Sequence, residues 1–219
     1  MKIIILADKY QKGIKSQGCA GLLKINDSVN LLKHQYDILL NNFPDAEIIY
    51  IYGFDHKKVN MFLYNKNFPR MKFIYNENYN NYNECFSLEL IKNNILSDLL
   101  IISGYTLLAQ SFFKNFNRKI SQVFIDQTNN SKLGCIINDN IVENIFYDLE
   151  NKIHQVFYIT SSDAGVLNQF ITLKNSNAFL FEIINKCISS GCSFSPTVLS
   201  PKSIRYYKQD NKIKQYDKY

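Results

Sequence analysis

The sequence has no tryptophan, only four prolines and only eight glycines in 219 residues. So few backbone breakers exclude a long linker of the usual flexible composition. In contrast, sixteen phenylalanines and fifteen tyrosines contribute to a hydrophobic content of 46%. A chain with this much apolar surface to bury is not intrinsically disordered. Its length suits one large domain with a proper core.

Long apolar runs and paired cysteines are also missing. No stretch of eighteen apolar residues occurs, so we expect no membrane span, and the first apolar run ends at Asp8, too early for a signal peptide. The cysteine count is odd and no C-x-x-C pair occurs, which argues against a disulfide framework and a zinc site. We therefore expect reduced thiols and a cytoplasmic protein. The cysteines are Cys19, Cys85, Cys135, Cys187 and Cys192.

Charge gives no strong indication of a partner. The net charge is +6, and the basic residues are densest between Lys202 and Lys218. A basic tail can contact nucleic acid, a membrane surface or an acidic protein. No run of like charge is unbroken, which favours a solvated surface, so nucleic-acid binding is not indicated. The histidines, His34, His56 and His154, form no recognisable ligand motif.

Strand and helix patterns alternate along the chain. Apolar runs predict strands at Lys2–Leu6, Glu47–Tyr52, Met71–Tyr75, Asp98–Ser103, Ile120–Asp126, Cys135–Ile137, Ile141–Tyr147, Gln155–Thr160, Phe194–Leu199 and Ser203–Lys208. Helices are predicted at 29–43, in a short segment after Asp55, at Glu84–Ser97, through Leu107 and Phe112, at Asp163–Ile171 and at Asn177–Ser189. The first of these helices is expected to be capped by Asp27 or Ser28. This order predicts an α/β three-layer sandwich with a mostly parallel, mixed sheet. We place the domain at 1–202, followed by a terminal strand and basic tail at 203–219.

Several segments in order carry a resemblance to a known family. They are the apolar run Ile3–Ala7, the polar loop with Gly13 and Gly18, then Leu22-Leu23-Lys24-Ile25-Asn26, Leu31-Leu32-Lys33-His34-Gln35, Ile48–Gly53, Asn83–Leu88, Asp98–Gly104 and Phe179–Asn185. Together these segments resemble the sugar-phosphate and phosphocholine nucleotidyltransferases. The resemblance covers most of the chain and implies their GT-A-like, Rossmann-like fold.

The resemblance also implies a reaction and a set of binding positions. In such enzymes a substrate phosphate attacks the α-phosphate of a nucleoside triphosphate and releases pyrophosphate, assisted by a glycine-rich loop and by Mg²⁺ held by aspartates. The lysines among the matching positions are equally explained as solvated surface, and Asn83 and Ser87 as helix caps. The implied nucleotide-binding residues, here vestigial, are Ala7, Lys9, Lys12, Lys15, Asn83, Ser87 and Gly104.

The chain departs from the family at the positions that carry the chemistry. Its loop at 8–15 lacks the paired glycines and the arginine, and Ala20-Gly21 stands where a Pro-Lys pair is implied. Tyr105 follows Gly104 where the family pattern implies a metal-binding aspartate. The pattern also implies a second aspartate near the end of the chain, and Asp210 is the acidic residue nearest to that position. Asp126 is either a substitute metal ligand or a turn residue. We assign no catalytic and no metal-binding residue, and Mg²⁺ is implied only for an active enzyme.

Three functional hypotheses follow. The first is a catalytically degenerate nucleotidyltransferase-like protein that serves as a structural or binding component of a larger assembly, of which a virus particle is one kind. The second is an active nucleotidyltransferase or glycosyltransferase that uses a nucleoside triphosphate or a nucleotide sugar. The third is a non-catalytic module that binds a nucleotide or a sugar. The tyrosine and asparagine cluster at Tyr75–Tyr82 suits either stacking on a ligand or contact with a protein partner.

Overall fold

The computed structural model describes residues 1–11, 13, 15–64, 66–126 and 131–207. In its first half the elements are β1 (Lys2–Ala7), α1 (Leu31–Asn42), β2 (Glu47–Tyr52), α2 (His56–Tyr64), β3 (Met71–Tyr75), α3 (Glu84–Glu89), β4 (Leu99–Ser103) and β5 (Thr106–Leu108). Then follow β6 (Ser121–Ile125), β7 (Leu133–Asn138), β8 (Ile141–Tyr147), β9 (Asn151–Ile159), α4 (Ser161–Phe170), α5 (Leu180–Ser189), β10 (Phe194–Val198) and β11 (Ile204–Tyr206).

The described strands form one large mixed sheet and a small second one. The order across the large sheet is β10-β6-β9-β4-β1-β2-β3, with the β7–β8 hairpin attached through β9. Neighbouring strands are parallel except at β9, which runs antiparallel to both β4 and β6. The second sheet pairs β5 with β11 in antiparallel fashion. The predicted α/β fold with a mostly parallel, mixed sheet is confirmed.

The apolar strand β1 shows why the sheet is covered on both faces. Successive side chains of a strand point to opposite faces. Accordingly Ile3 and Ile5 pack in the hydrophobic cluster that includes Leu32 of α1, while Ile4 packs in the cluster that includes Ile184 of α5. All three isoleucines are fully buried. A strand that is apolar at every position therefore needs helices on both sides, which makes the three layers.

The predicted cap of the first long helix is wrong. Neither Asp27 nor Ser28 caps it, because the helix begins at Leu31 and its N-cap is Asn30, whose side chain accepts a hydrogen bond from the backbone of Lys33. The preceding turn is held by Asn26, whose Oδ1 accepts hydrogen bonds from the backbone N–H groups of Ser28 and Val29. Several residues in this stretch are good caps, so composition alone does not choose among them.

Two other helix predictions are corrected by the structure. The segment through Leu107 and Phe112 is the strand β5 followed by a 3-10 helix at Gln110–Asn115, because pairing with β11 overrides the local preference. The helix predicted at Glu84–Ser97 ends as α-helix at Glu89 and continues only as a 3-10 turn at Lys92–Asn94. The apolar residues that suggested a continuous helix are nevertheless buried: Leu88, Ile91 and Ile95.

The end of the described chain is integrated into the fold. Strand β11 pairs with β5, and the backbone N–H of Tyr207 donates to the carbonyl of Tyr105 at 2.9 Å. Most of the basic tail, from residue 208 onward, lies outside the described residues. Within the ranges described, no helix has the length and apolar character needed to cross a bilayer.

The cysteines are all buried free thiols. Burial raises the pKa of Cys187 to about 12 and that of Cys19 to about 11. Only the thiolate form of cysteine is an effective nucleophile. These thiols are therefore part of the core and are unreactive at neutral pH.

The turn after β4 packs so closely on β1 that only glycine fits there. A Cβ added to Gly104 would lie 2.4 Å from Cβ of Ala7, and the Gly104 N–H donates to the carbonyl of Leu6 at 2.7 Å. We expect Gly104→Ala to lower the free energy of unfolding by about 1–3 kcal/mol, since the two strand ends must move apart. Urea denaturation measures this change.

The matched control for that experiment is Gly165→Ala. Gly165 lies inside α4, and nothing lies within 4 Å of the Cβ that it would gain. Alanine is preferred to glycine inside a helix by about 1 kcal/mol, so this variant should be more stable than the wild type. Equal stability of the Gly104→Ala variant and the wild type would contradict the close packing of β1 on the β4 turn.

Candidate functional site

A cavity of about 430 Å³ opens at the carboxyl ends of β1 and β4. In open α/β sheets this edge is where ligands bind. Its polar lining includes Asp8, Lys9, Gln11, Glu84 and Ser103. Its aromatic lining consists of Tyr10, Tyr105, Tyr147, Phe157, Phe179, Phe181 and Tyr206. A pocket lined mainly by aromatic and aliphatic side chains, with a few polar groups, is typical of a small-molecule site.

The first polar feature is the buried carboxylate of Asp8, which directly follows β1. Its Oδ2 accepts hydrogen bonds from Ser87 Oγ at 2.8 Å and from Asn76 Nδ2 at 2.9 Å. Burial raises the pKa of Asp8 above its usual value, although these hydrogen bonds act in the opposite direction. Ser87 itself is completely buried. Its hydroxyl donates to Asp8, and its role in nucleotide contact stays a prediction.

The second polar feature joins the loop after β1 to the start of α3. Lys9 Nζ donates to Asn83 Oδ1 at 2.9 Å, and Asn83 Nδ2 donates to the carbonyl of Asn177 at 2.7 Å. Asn83 is the N-cap residue of α3, but its side chain makes no capping hydrogen bond. Asn83 therefore has the capping position predicted for it but not the capping hydrogen bond, and its side-chain amide oxygen instead holds Lys9 at the cavity wall.

Tyr105 occupies the position where the resemblance implies a metal-binding aspartate. Its hydroxyl accepts a hydrogen bond from the backbone N–H of Gln11 at 3.0 Å and donates to the carbonyl of Lys9 at 3.3 Å. Burial raises the pKa of Tyr105 to about 12. The phenol is therefore neutral at physiological pH, and it ties down the loop. A neutral phenol is a poor ligand for Mg²⁺, which prefers carboxylates and water.

At Gly21, where the family pattern implies a lysine, the space that a side chain would need is occupied by another residue. A Cβ at Gly21 would lie 2.3 Å from the hydroxyl oxygen of Tyr50. Tyr50 is one of the largest fully buried side chains of the protein. A lysine at this position would have to displace that tyrosine from the core.

The remaining predicted positions are spread out. Ala7 and Gly104 pack against each other at the strand ends, as described above. Lys15 does not line the cavity, and its Nζ lies 4.5 Å from the centre of the Tyr10 ring in a cation–π contact. Lys12 and Asp210 lie outside the described residues. Of the predicted lysines that the structure describes, only Lys9 reaches the cavity.

Asp126 lies away from this lining and next to a histidine. Its Oδ2 is 3.4 Å from Nε2 of His154, and both side chains are buried. Burial lowers the pKa of His154, while the nearby Asp126 raises it. Asp126 ends β6 and His154 lies within the adjacent strand β9, so sheet pairing brings them together. Sequence reasoning did not connect these two residues.

Two further polar groups of the cavity were missed by sequence reasoning. Glu84 is the first residue of α3, and its Oε2 is buried without a hydrogen-bond partner among the described residues. The Oε1 of Gln11 is in the same situation. Burial raises the pKa of Glu84, and the proximity of Lys9 lowers it. Neither residue belongs to a sequence motif. The one signal in the sequence was position, since Gln11 lies in the loop after the first strand and Glu84 at the start of a helix.

The described residues do not fit a divalent metal ion. No group of three or more histidine, cysteine, aspartate or glutamate side chains within the described ranges is arranged to hold one. Asp8 and Glu84 both line the cavity, but Asp8 Oδ2 is taken by Ser87 and Asn76, and the ammonium of Lys9 lies close to both acids. These two acids therefore offer Mg²⁺ one carboxylate that is already hydrogen-bonded and one that lies near a lysine, which is unfavourable for binding it.

The buried carboxylate of Asp8 predicts a characteristic pH dependence of stability. Because the pKa is higher in the folded state than the unfolded value of about 3.9, the protonated acid stabilises the fold at low pH, and this contribution is lost as pH rises through the folded pKa. Asp8→Asn keeps an acceptor for Ser87 and Asn76 but cannot ionise. Relative to the wild type, this variant should become progressively more stable as the pH rises above the unfolded value of about 3.9, because only the wild-type side chain acquires a buried charge.

Urea denaturation at several pH values tests this expectation. The exposed carboxylate of Asp37, which pairs with Lys33 on α1, provides the control variant Asp37→Asn. Loss of that surface pair should change stability by no more than about 1 kcal/mol. A stability difference between Asp8→Asn and the wild type that does not grow with pH would show that Asp8 is not destabilised by burial.

Comparison with known proteins identifies the fold. No family model matches the chain, and no curated protein matches its sequence. The solved CTP:phosphocholine cytidylyltransferase from Streptococcus pneumoniae is 19% identical, with a TM-score of 0.74 over 94% of this chain and 92% of that one. The inositol-1-phosphate CTP transferase from T. maritima is 14% identical, with a TM-score of 0.69 over 90% and 84%. The nucleoside-diphosphate-sugar pyrophosphorylase from Vibrio cholerae is 9% identical, with a TM-score of 0.69 over 94% and 95%. The chain therefore has the fold of the nucleotidyltransferases.

Proposed function

We propose that this protein is a catalytically degenerate nucleotidyltransferase-like protein that acts by binding, as a component of a larger assembly. The observation that carries the proposal is the hydroxyl of Tyr105, which is hydrogen-bonded to the loop after β1. In an active enzyme of this fold, the resemblance implies a carboxylate at that position. A phenol bonded to two backbone groups cannot take over its role.

Electrostatics support the same conclusion. Nucleotidyl transfer needs positive charge or oriented donors around the reacting phosphates. Here Asp8 and Glu84 line the cavity, and the one lysine among its described lining residues, Lys9, is bonded to Asn83. Two acids beside one tethered lysine are unfavourable for a triphosphate. This balance favours a binding role over nucleotidyl transfer.

Exposed apolar side chains support a contact role in an assembly. Met61 and Tyr64 on α2 are 74% and 88% exposed, and Phe146 on β8 is 55% exposed. Aromatic residues are enriched among those that dominate protein–protein binding energy. If a protein keeps this fold without catalysing a reaction, the simplest explanation is that its surfaces and its pocket are used for binding. The virus particle named in the sequence analysis remains one kind of assembly that would use it.

The first test is catalytic. Incubation with nucleoside triphosphates, Mg²⁺ and either sugar phosphates or phosphocholine should release no pyrophosphate, whereas active enzymes commonly turn over at about 1–1000 per second. The variant Tyr105→Asp should also be inactive, because Tyr50 still fills the space beside Gly21. An active nucleotidyltransferase serves as the positive control. Turnover at such rates by the wild type would overturn the proposal.

The second test concerns the assembly. In an extract of its native source, the protein should sediment with a large complex, and a chain that ends at Tyr207 should be incorporated less well. This truncation removes residues 208–219, which include four lysines and two aspartates, and keeps the β5–β11 pair. Its thermal unfolding should therefore match that of the full chain. Sedimentation of the full-length protein as a monomer would contradict the assembly role.

A further inference from the structure

We propose that the cavity binds the protonated primary amine of a small molecule, with Glu84 and Gln11 as its acceptors. This inference rests on the binding role proposed above and names its ligand class. It starts from two acceptor atoms of the cavity lining that accept no hydrogen bond from the described residues. The ligand that completes such a site must bring N–H groups and positive charge.

The unpaired acceptors are the first argument. Oε2 of Glu84 and Oε1 of Gln11 are buried, accept no hydrogen bond from the described residues, and belong to side chains that line the same cavity. A buried acceptor without a partner is costly, and native proteins rarely keep one without a reason. An alkylammonium group has three N–H donors and no acceptor. It therefore supplies the kind of donor that both oxygens lack.

The charge of the lining is the second argument. Asp8 and Glu84 both line the cavity, and none of the ion pairs among the described residues involves either of them. Lys9 provides one positive charge that acts on both acids, and its ammonium also donates a hydrogen bond to Asn83. With both acids ionised, the described charged groups of the lining sum to a net negative charge. A cationic ligand restores neutrality, whereas a phosphate adds to the imbalance.

The aromatic wall beside Glu84 is the third argument. The rings of Tyr147 and Phe181 meet edge to face at 5.4 Å, and those of Phe179 and Phe181 stack at 6.0 Å. Burial raises the pKa of Tyr147, and the charges of Glu182 and Glu84 add to this increase. Glu84 and these rings line the same cavity. Aromatic rings attract an ammonium group through their negative faces. The cavity thus combines a carboxylate and aromatic rings, the two features that favour an organic cation.

The size of the cavity indicates what carries the amine. A volume of about 430 Å³ is at the lower end of the range for small-molecule sites and exceeds what an ammonium group fills. An amino sugar and a short aminoalkyl alcohol share the same ammonium chemistry. Glucosamine and ethanolamine represent these two sources, and comparing their affinities distinguishes between them.

Isothermal titration calorimetry with the full chain, in the absence of nucleotide, tests the ligand class. Choline is the matched control for ethanolamine, because it keeps the charge and lacks N–H donors, and glucose is the uncharged control for glucosamine. We expect at least one of the two amines to bind about tenfold or more tightly than its control. Failure of both amines to bind, or equal or tighter binding of the controls, would overturn the inference.

Variants test the acceptor. Glu84→Gln should weaken binding of the amine about tenfold or more, because it removes the charge and adds a competing donor. Glu89→Gln on the same helix is the control, since Glu89 does not line the cavity, and it should bind like the wild type. Unchanged affinity of a folded Glu84→Gln variant would contradict the assignment. If that variant unfolds on thermal analysis, the ligand comparison with the wild type still decides.

The outcome is separable from that of the proposed function. Amine binding without nucleotide and the absence of pyrophosphate release are independent measurements. Loss of amine binding together with absent turnover would refute the ligand class and leave the degenerate enzyme standing. Turnover of a triphosphate together with amine binding would refute the degeneracy and leave the ligand class standing.

Discussion

The architecture of the site depends on the close approach of two strand ends. Parallel pairing of β1 with β4 brings Leu6 opposite Ser103, and the next step of the chain presses Gly104 against Ala7. Because the turn has no room for a side chain at Gly104, the following residue is directed toward the loop that leaves β1. Tyr105 thereby reaches the backbone of Lys9 and Gln11. The same contact fixes the loop and forms one wall of the cavity.

The departures from an active nucleotidyltransferase are built into the packing around this contact. Tyr50 fills the space beside Gly21, Tyr105 binds the loop, and Asp8 is held by Ser87 and Asn76. Each replacement has acquired its own partners in the core or the loop. Restoring the family residue at one of these positions would leave it without room or partners among the unchanged neighbours, because packed interiors accommodate volume changes poorly. The proposed loss of catalysis thus involves the packing of the whole site.

The sequence predicted the fold well where burial alone decides the structure. The bounds of β2, β3 and β8 are those expected from their apolar or alternating patterns. The predictions failed where long-range contacts decide, as at β5, whose conformation depends on pairing with a strand almost a hundred residues later. They also failed in the site, because Glu84 and Gln11 belong to no motif and acquire their meaning only from the cavity that they share. A resemblance to a family directs attention to the positions of its motifs and away from such residues.

The electrostatics of the cavity connect its stability to what it can bind. Burial raises the pKa values of Asp8 and Glu84, so the empty fold disfavours the charged forms of both acids. A cation in the cavity would stabilise those charged forms and lower both pKa values. Ligand binding and loss of protons are then coupled, and each must favour the other to the same extent. Under the proposal made above, the two carboxylates that burial disfavours in the empty fold are also the groups that would give a cation its affinity.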